Sequence, residues 1–438
     1  MTTEKPIWHL DKSTIQKALL IIWTAALILF RPSILGQYNN TLVFCVFSLT
    51  TFLLFISDRQ VAFVMARKQR TIIILTLLTM AYLFCQGMLI GGAYKPVINS
   101  SICIIGCILC IGYVVNKYDN QFILKTLIII HFLFSVSAIV TVVMLIINKF
   151  NIDAIPVIVK LHAYGTSGVT EEIFGEHSLL VPFSFIWGRL PIFGINLPRF
   201  LGIYREPGLS QIYFWTAFFL TYFVKMKHIK IIRTCIFIGA FLTFSTTGIL
   251  SFAAGYSAFL FLNKSTQIEK VRNAVIVLCV TLLGGIILSL PGIGILDKME
   301  NANGMDRIDS FNYSIHEFLE NPIIGKGYYY GFSTDSEGRQ FKGDVQFIGI
   351  IGVAYQLGSI GILLYFLCWI YSLTRLANRK TLCIYIPCIV TLLFFQPSYN
   401  DILVWFLMLI NTRELSPTSD NKQYISTIQE YSLIANTI

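Results

Sequence analysis

The chain has 438 residues, of which 55% are hydrophobic and only 13% charged, with a mean hydropathy of +0.70. That charged fraction is about half of what a soluble surface carries, and the apolar residues come in continuous rather than alternating runs, so a soluble globular domain and a membrane β-barrel are both excluded. The net charge of +10 does not imply nucleic acid, because the lysines and arginines sit in short segments between apolar runs, where they set membrane orientation.

Apolar runs of roughly 16–25 residues recur along the whole length, the size that crosses a hydrocarbon core. The expected fold is therefore an all-α, polytopic membrane helical bundle of about twelve transmembrane helices with two large periplasmic loops. The polar start, MTTEKPIWHLDKSTIQK, has no signal-peptide cleavage pattern, so the first span is expected to stay. Spans 1–5 fall within 1–147, a first large outer loop within 148–208 and spans 6–9 within 209–291. A second large outer loop covers 292–345, spans 10–12 cover 346–412, and a tail covers 413–438. The basic residues of the short connections place both termini in the cytoplasm and both long loops outside. All ten cysteines lie within or at the ends of apolar runs, which implies no disulfide framework. Cys107 and Cys110 have redox or metal spacing, but they sit mid-span without acidic or histidine neighbours and read as small buried hydrophobes.

In the fifth span, His131 is an intramembrane imidazole, best read as sharing a hydrogen bond inside the bundle. The first loop contains LLVPFSFIWGRLPIFGI, apolar but too short and Pro-broken to span, which suits an interfacial or re-entrant position. The loop ends in Arg199-Phe-Leu-Gly-Ile-Tyr-Arg205-Glu206-Pro207-Gly208. Pro207 fits the first turn of a helix, which puts Arg205 and Glu206 at its N-terminus. Free N–H groups, a positive dipole end and the forked guanidinium of Arg suit an anionic headgroup such as a pyrophosphate. Arg199 is a second candidate ligand, and Glu206 a candidate orienter or base. The bland alternative is arginine anchoring a helix to phospholipid.

The apolar run 231–262 is interrupted by Ser245-Thr246-Thr247-Gly248, read as a tight turn at the outer surface with Thr247 as a candidate substrate contact. From Asp306 to Glu320, Ile308, Phe311, Ile315, Phe318 and Leu319 fall on one helical face and Asp309, Asn312, Tyr313, His316 and Glu320 near the other. Asn321-Pro322 stops this amphipathic helix. His316 or Asp309 would accept a proton from a sugar hydroxyl, with Arg307 beside them. Gly325-Lys-Gly327-Tyr328 supplies close backbone approach and a ring to stack on sugar, without the order of a nucleotide loop. Asp344 at the mouth of the next span reads equally as a helix cap and as a catalytic carboxylate. The small residues of GIIGVAYQLGSIG read as helix–helix contact. No metal site is inferred from His162, His177 and their acidic neighbours.

Taken together, the span layout, the two loops, the Arg-Glu-Pro-Gly entry, the Ser-Thr-Thr-Gly turn, Asn-Pro-Ile-Ile-Gly-Lys-Gly-Tyr and Tyr-Gln-Leu-Gly-Ser-Ile-Gly resemble Wzy-type O-antigen polymerases of the O-antigen ligase and polymerase superfamily, over roughly residues 20–412. The resemblance implies a bacterial inner-membrane glycosyltransferase. It would join undecaprenyl-pyrophosphate-linked repeat units at the periplasmic face, without nucleotide sugar, metal or other cofactor. Arg205, with Arg199 or Arg307, would hold the leaving pyrophosphate, and Tyr328 and Thr247 would contact substrate. Related ligases carry a histidine just before the span that follows the second loop. Here that place holds Asp344, which argues for polymerase and leaves the base open among Asp344, His316 and Glu206. A chain-length regulator and a flippase of the same pathway are the expected partners. The alternatives are a ligase transferring glycan to lipid A core and a lipid-linked oligosaccharide flippase. The flippase is disfavoured by the near absence of charge within the spans.

Overall fold

A computed structural model describes residues 12–30, 32–58, 67–90, 94–162, 176–192, 195–262, 271–277, 312–327, 349–394, 401–413 and 415. The apolar runs fold as α1 (Lys12–Leu29), α2 (Ile34–Asp58), α3 (Arg67–Ile90), α4 (Tyr94–Lys117), α5 (Asn120–Ile147), α6 (Pro207–Leu220), α7 (Ile229–Phe241), α8 (Thr246–Leu262), α9 (Gly349–Arg375), α10 (Leu382–Phe394) and α11 (Ile402–Leu409). Residues 271–277 and 312–320 are also helical.

Four of these helices carry stretches long and apolar enough to cross a membrane: Asn39–Asp58, Arg70–Leu89, Asn120–Ile147 and Gly349–Arg375. Leu42, Leu49, Phe52 and Ile56 on α2, and Leu133, Val143 and Ile147 on α5, are left exposed. Such bare aliphatic stripes suit hydrocarbon rather than water. Ser13–Leu29, Ser101–Lys117 and Thr246–Leu262 are apolar but shorter. α6, α7, α10 and α11 lie on predicted spans, yet α11 rises only about 12 Å at 1.5 Å per residue, and the 312–320 helix lies in the predicted second loop.

The first long loop departs from the all-α expectation. It contains a four-stranded antiparallel sheet in the order β1 (Val157–His162), β2 (Glu176–Leu180), β3 (Ser184–Ile192) and β4 (Ile195–Gly202). The pieces expected to be interfacial or re-entrant are its strands and turns. Runs such as VIVK and SFIW are β-branched and aromatic, too short for a helix and well suited to a pleated, half-buried surface. The sheet docks on the C-terminal half of α5. Leu180, Ile186 and Phe200 pack with Ala138, Leu145, Ile152 and Ile155. The Ser137 hydroxyl meets the Ser184 hydroxyl at 2.9 Å and accepts the Phe183 N–H at 2.9 Å.

The centre of the bundle is α6, buried at every residue except Gly208. Its polar groups are met by other helices, Gln211 by Thr391 and Tyr213 by Asp401, which holds it inside the bundle rather than at its surface. Residues 402–409 of α11 are likewise all buried.

The second loop is anchored by a break in α9. Gly358 sits at φ 64°, ψ −179°, outside helical geometry. Residues 321–327 lie along the break. The Lys326 N–H donates to the Tyr355 carbonyl at 2.8 Å, the Gly327 N–H to Gln356 at 3.1 Å, and the Ser359 N–H to the Pro322 carbonyl at 2.8 Å. From α3, the Tyr82 hydroxyl donates to the Leu357 carbonyl at 2.6 Å and lies 2.9 Å from that of Ile324, and the Gln86 amide donates to those of Ile324 and Gln356. Irregular backbone within an apolar bundle persists where neighbours satisfy it in this way. A Cβ on Gly358 would stand 2.4 Å from the Ile323 carbonyl oxygen, and one on Gly325 2.5 Å from the Gly358 nitrogen. Two sequence motifs thus form one joint. The small residues of GIIGVAYQLGSIG serve loop-to-helix fit as well as helix packing.

Candidate functional site

The chain enters α6 along a fixed path. Leaving β4, the Ile34 N–H donates to the Ile203 carbonyl at 2.9 Å, and the Arg205 N–H donates to the Pro32 carbonyl at 3.1 Å. Glu206 is the N-cap residue and Pro207 the first helical residue, as the sequence predicts. The Glu206 side chain makes no cap hydrogen bond. Its carboxylate instead lies 3.4 Å from Arg205 Nε, with 30% of the Arg205 side chain and 16% of the Glu206 side chain exposed. A cation partly withdrawn from water acts on an approaching anion far more strongly than one in bulk solvent.

Behind this pair stands a carboxylate that sequence reasoning missed. Asp401, 7% exposed, caps α11 by position. The Tyr213 hydroxyl donates to its Oδ2 at 2.8 Å. The charges of Arg205 and Glu206 both act on it. Tyr213 stacks on Tyr204, with ring centroids 4.6 Å apart. The Tyr204 hydroxyl meets His131 Nε2 at 2.8 Å, and His131 Nδ1 lies 2.8 Å from the Leu127 carbonyl. A carbonyl only accepts, so Nδ1 carries the proton and Tyr204 donates to Nε2. His131 therefore has the shared hydrogen bond expected of it. In the sequence Asp401 stands at the head of the last apolar run, after Ser398-Tyr399-Asn400, where an acid reads first as a helix cap. Its neighbours come from distant parts of the chain, and the sequence does not bring them together.

Arg199 lies elsewhere on the same strand-to-helix path. Its guanidinium approaches the carbonyls of Thr243 and Phe244 at 3.5 Å each. These carbonyls belong to the α7–α8 turn, which covers residues 242–245, slightly ahead of the predicted Ser245–Gly248; Thr246, Thr247 and Gly248 already form the first turn of α8. Ser245 Oγ accepts the Gly248 N–H at 3.4 Å. Thr247 is buried, at 8% exposed. Arg199 and the hydroxyl turn are thus brought together.

His316 belongs to another cluster. It is 74% exposed, with Nδ1 3.5 Å from Glu320. Lys326 lies 2.9 Å from Glu317 and 2.6 Å from Glu320. The hydrogen bond from Lys326 holds the Glu320 carboxyl below the usual carboxylate range, and the same acids hold the Lys326 ammonium above the usual lysine range. His316, Glu317 and Glu320 place ligand atoms within 4.8 Å of one another, but Lys326 already supplies this cluster with its cation. The helix ends at Glu320, before Asn321-Pro322, as predicted. Arg307, Asp309, Tyr328 and Asp344 lie outside the described residues.

No curated protein and no solved structure matches the chain significantly. Residues 233–366, from α7 through the turn, the 312–320 helix and the bent part of α9, match the family model described as O-antigen ligase, which is consistent with a member of the O-antigen ligase and polymerase superfamily.

Proposed function

We propose that the chain is a polymerase of surface polysaccharide that joins undecaprenyl-pyrophosphate-linked repeat units at the periplasmic face of the bacterial inner membrane. The observation that carries this reading is the Arg205–Glu206 pair at the N-terminus of the buried helix α6, beside the buried carboxylate Asp401. As the glycosidic bond breaks, the leaving pyrophosphate gathers charge. A fixed guanidinium and the free N–H groups of a helix start lower that barrier. Glu206, beside Arg205, orients the guanidinium or takes the proton of the acceptor hydroxyl. His316 and Asp344 remain the other candidates for the base. Arg199 and Arg307 are proposed as further phosphate contacts, with Thr247 and Tyr328 toward the sugars. Both termini are placed in the cytoplasm and about twelve segments cross or enter the bilayer, following the distribution of basic residues.

A second reading, glycan transfer to lipid A core, is favoured by the description of the matching family as O-antigen ligase. The test uses purified full-length protein in liposomes with the lipid-pyrophosphate-linked repeat unit as sole substrate. A ladder on a gel is the expected result. A single unextended band that shifts only when lipid A core is added would replace the polymerase by the ligase. Movement of the lipid across the bilayer without either product would replace both by a flippase.

A further inference from the structure

The first-loop sheet reaches well down the side of α5. Its β2–β3 turn, Val181-Pro182-Phe183, lies against Ser137 and Thr141. Ser137 comes ten residues before Ile147, so the turn lies about 15 Å inward of the end of α5 at 1.5 Å per residue. Measured from Asn120, Ser137 stands about 25 Å along the axis, which falls inside a hydrocarbon layer about 30 Å thick. Val140, Val143, Ile146 and Ile147, beyond that level, are exposed aliphatics. The sheet is graded along the same axis. Phe183 at the turn is 66% exposed, and Val157, Ile158 and Val159, at the end of β1 nearest the turn, are exposed as well. Farther from the turn, the register pairs Lys160 with Ser178 and His162 with Glu176. Proline is usual in a turn, but an exposed Phe at the tip is not a turn-forming choice and gains nothing in water. The peptide groups of the turn are met from inside the protein. The Phe183 N–H donates to Ser137 Oγ at 2.9 Å and the Val181 N–H to the Pro156 carbonyl at 3.2 Å. Thr141 Oγ1 lies 3.3 Å from the Val181 carbonyl oxygen, and Pro182 has no N–H to satisfy.

We infer that this turn is a membrane anchor: Phe183 enters the acyl layer beside α5, Val157, Ile158 and Val159 lie at its boundary, and Lys160 lies among the headgroups. The partner is the phospholipid surface itself. The inference rests on α5 crossing the bilayer and not on the chemistry proposed above. The tip and the exposed stripe of α5 stand at one level of one helix, so the same medium covers both. Hydrocarbon there requires the N–H groups of the tip to be paired, as those of Val181 and Phe183 are. β1 is the outermost of the described strands, and an edge strand leaves backbone groups unpaired, so it stays where headgroups and water reach it. Entry of an apolar surface by about 5–10 Å is the usual depth of an interfacial element, and a lysine just above it is drawn to anionic lipid. The sheet ends at Gly202, five residues before α6, so the anchor also holds the entry to α6 at a fixed height in the bilayer.

The test uses the full chain in phosphatidylcholine vesicles that contain a phosphatidylcholine with a diazirine high on one acyl chain. On irradiation, the unaltered protein should carry lipid on Phe183 as well as on the exposed residues of α5 from Val140 to Ile147, which serve as the reference, and not on Lys160 or His162. Phe183→Trp, a mild change at an exposed site, should add tryptophan emission over the unaltered protein. Bromine high on the acyl chains should remove most of that added emission, and iodide in the water should leave it. Label on α5 with none on Phe183, or added emission lost to iodide and kept against bromine, would overturn the anchor and place the tip in water. A diazirine carried at position 183 that joins two copies of the chain instead of lipid would overturn it in favour of a protein contact. Absence of label from α5 as well would overturn the span on which the inference rests, and would leave the liposome assay above to decide the chemistry separately.

Discussion

The two polar regions of this bundle use their cations differently. Arg205 is mounted on backbone pinned to the α1–α2 turn and leads into a helix with almost no exposed residue. Its neighbour Glu206 stands at 3.4 Å, and the buried Asp401 lies behind. Lys326 stands on the joint with α9 and is held by two carboxylates at 2.9 and 2.6 Å. In the first region the backbone is fixed and the Arg205 and Glu206 side chains keep part of their surface open. In the second, the backbone fit is itself the achievement, and the side-chain charges clamp it. The Gly-rich motif that reads as a sugar platform is, in its described part, a structural joint.

The comparison is broken most directly at Arg205. Arg205→Ala should lower chain growth in the liposome assay by about 10²–10³-fold, the usual cost of losing one transition-state charge stabiliser. Membrane insertion and yield should stay normal, and Arg205→Lys should recover little, because the fork is lost. Normal ladders from the Ala variant would remove Arg205 from the site.

At the joint, the expected loss is in folding rather than chemistry. Gly358→Ala forces a Cβ to within 2.4 Å of the Ile323 carbonyl in a left-handed backbone, and Gly325→Ala meets Gly358 at 2.5 Å. Each should cost about 1–3 kcal/mol, read as a lower unfolding temperature in detergent. Activity per folded molecule should hold. A stable Gly358→Ala protein would mean that the loop docks differently.

Asp401→Asn should be gentler. The amide oxygen still accepts from Tyr213, so stability should change little, while chain growth drops about tenfold as the acid near Arg205 is replaced by a group that cannot ionise. Tyr213→Phe leaves the carboxylate short of a donor and should lower the unfolding temperature instead. Equal effects of the two changes on activity would reduce Asp401 to a packing role.

The smallest effect belongs to the Lys326 clamp. The Glu320 carboxyl is depressed, so its contribution is present above the normal carboxylate range and fades as pH falls through the lowered value. The Lys326 ammonium is raised, so its contribution is complete below the normal lysine range and is lost as pH rises through the raised value. Loop protection in hydrogen exchange should therefore be flat between these ranges, weakening slightly in acid. Lys326→Met should remove the acid dependence. A dependence that persists in that variant would belong to other groups.

Much of this was readable in the chain. Helix positions follow from the apolar runs, and Pro207, Asn321-Pro322 and the Ser-Thr-Thr-Gly turn mark three boundaries that the structure keeps. The sheet was not readable as such. Pro182, Pro191 and Pro198 broke the apolar pattern and suggested interrupted membrane pieces. Within a small antiparallel sheet they sit in a turn or in strands, with Pro191 opposite Asn196 and Pro198 opposite Arg189. Such positions are open to proline where no ladder donor is required. The polar centre was half visible. Arg205 and Glu206 announce themselves by charge beside a helix start. His131 and Tyr213 come from α5 and α6, Tyr204 and Asp401 from the residues that lead into α6 and α11, and only folding makes them neighbours.

The burial of α6 bears on how the protein is made. Its apolar residues suit hydrocarbon, but the Gln211 amide within it donates to Thr391 of α10 at 3.0 Å, a partner that does not yet exist when α6 is made. Its partner α10 begins at Leu382, about 160 residues after α6 ends, which is roughly 10–30 s of synthesis at about 5–20 residues per second. For that interval the Gln211 amide lacks its bond to Thr391 and the α10-facing side of α6 is uncovered by protein. The region proposed to meet the lipid pyrophosphate is thus completed by one of the last helices to arrive, so truncated or stalled chains lack α10 and the packing it gives α6.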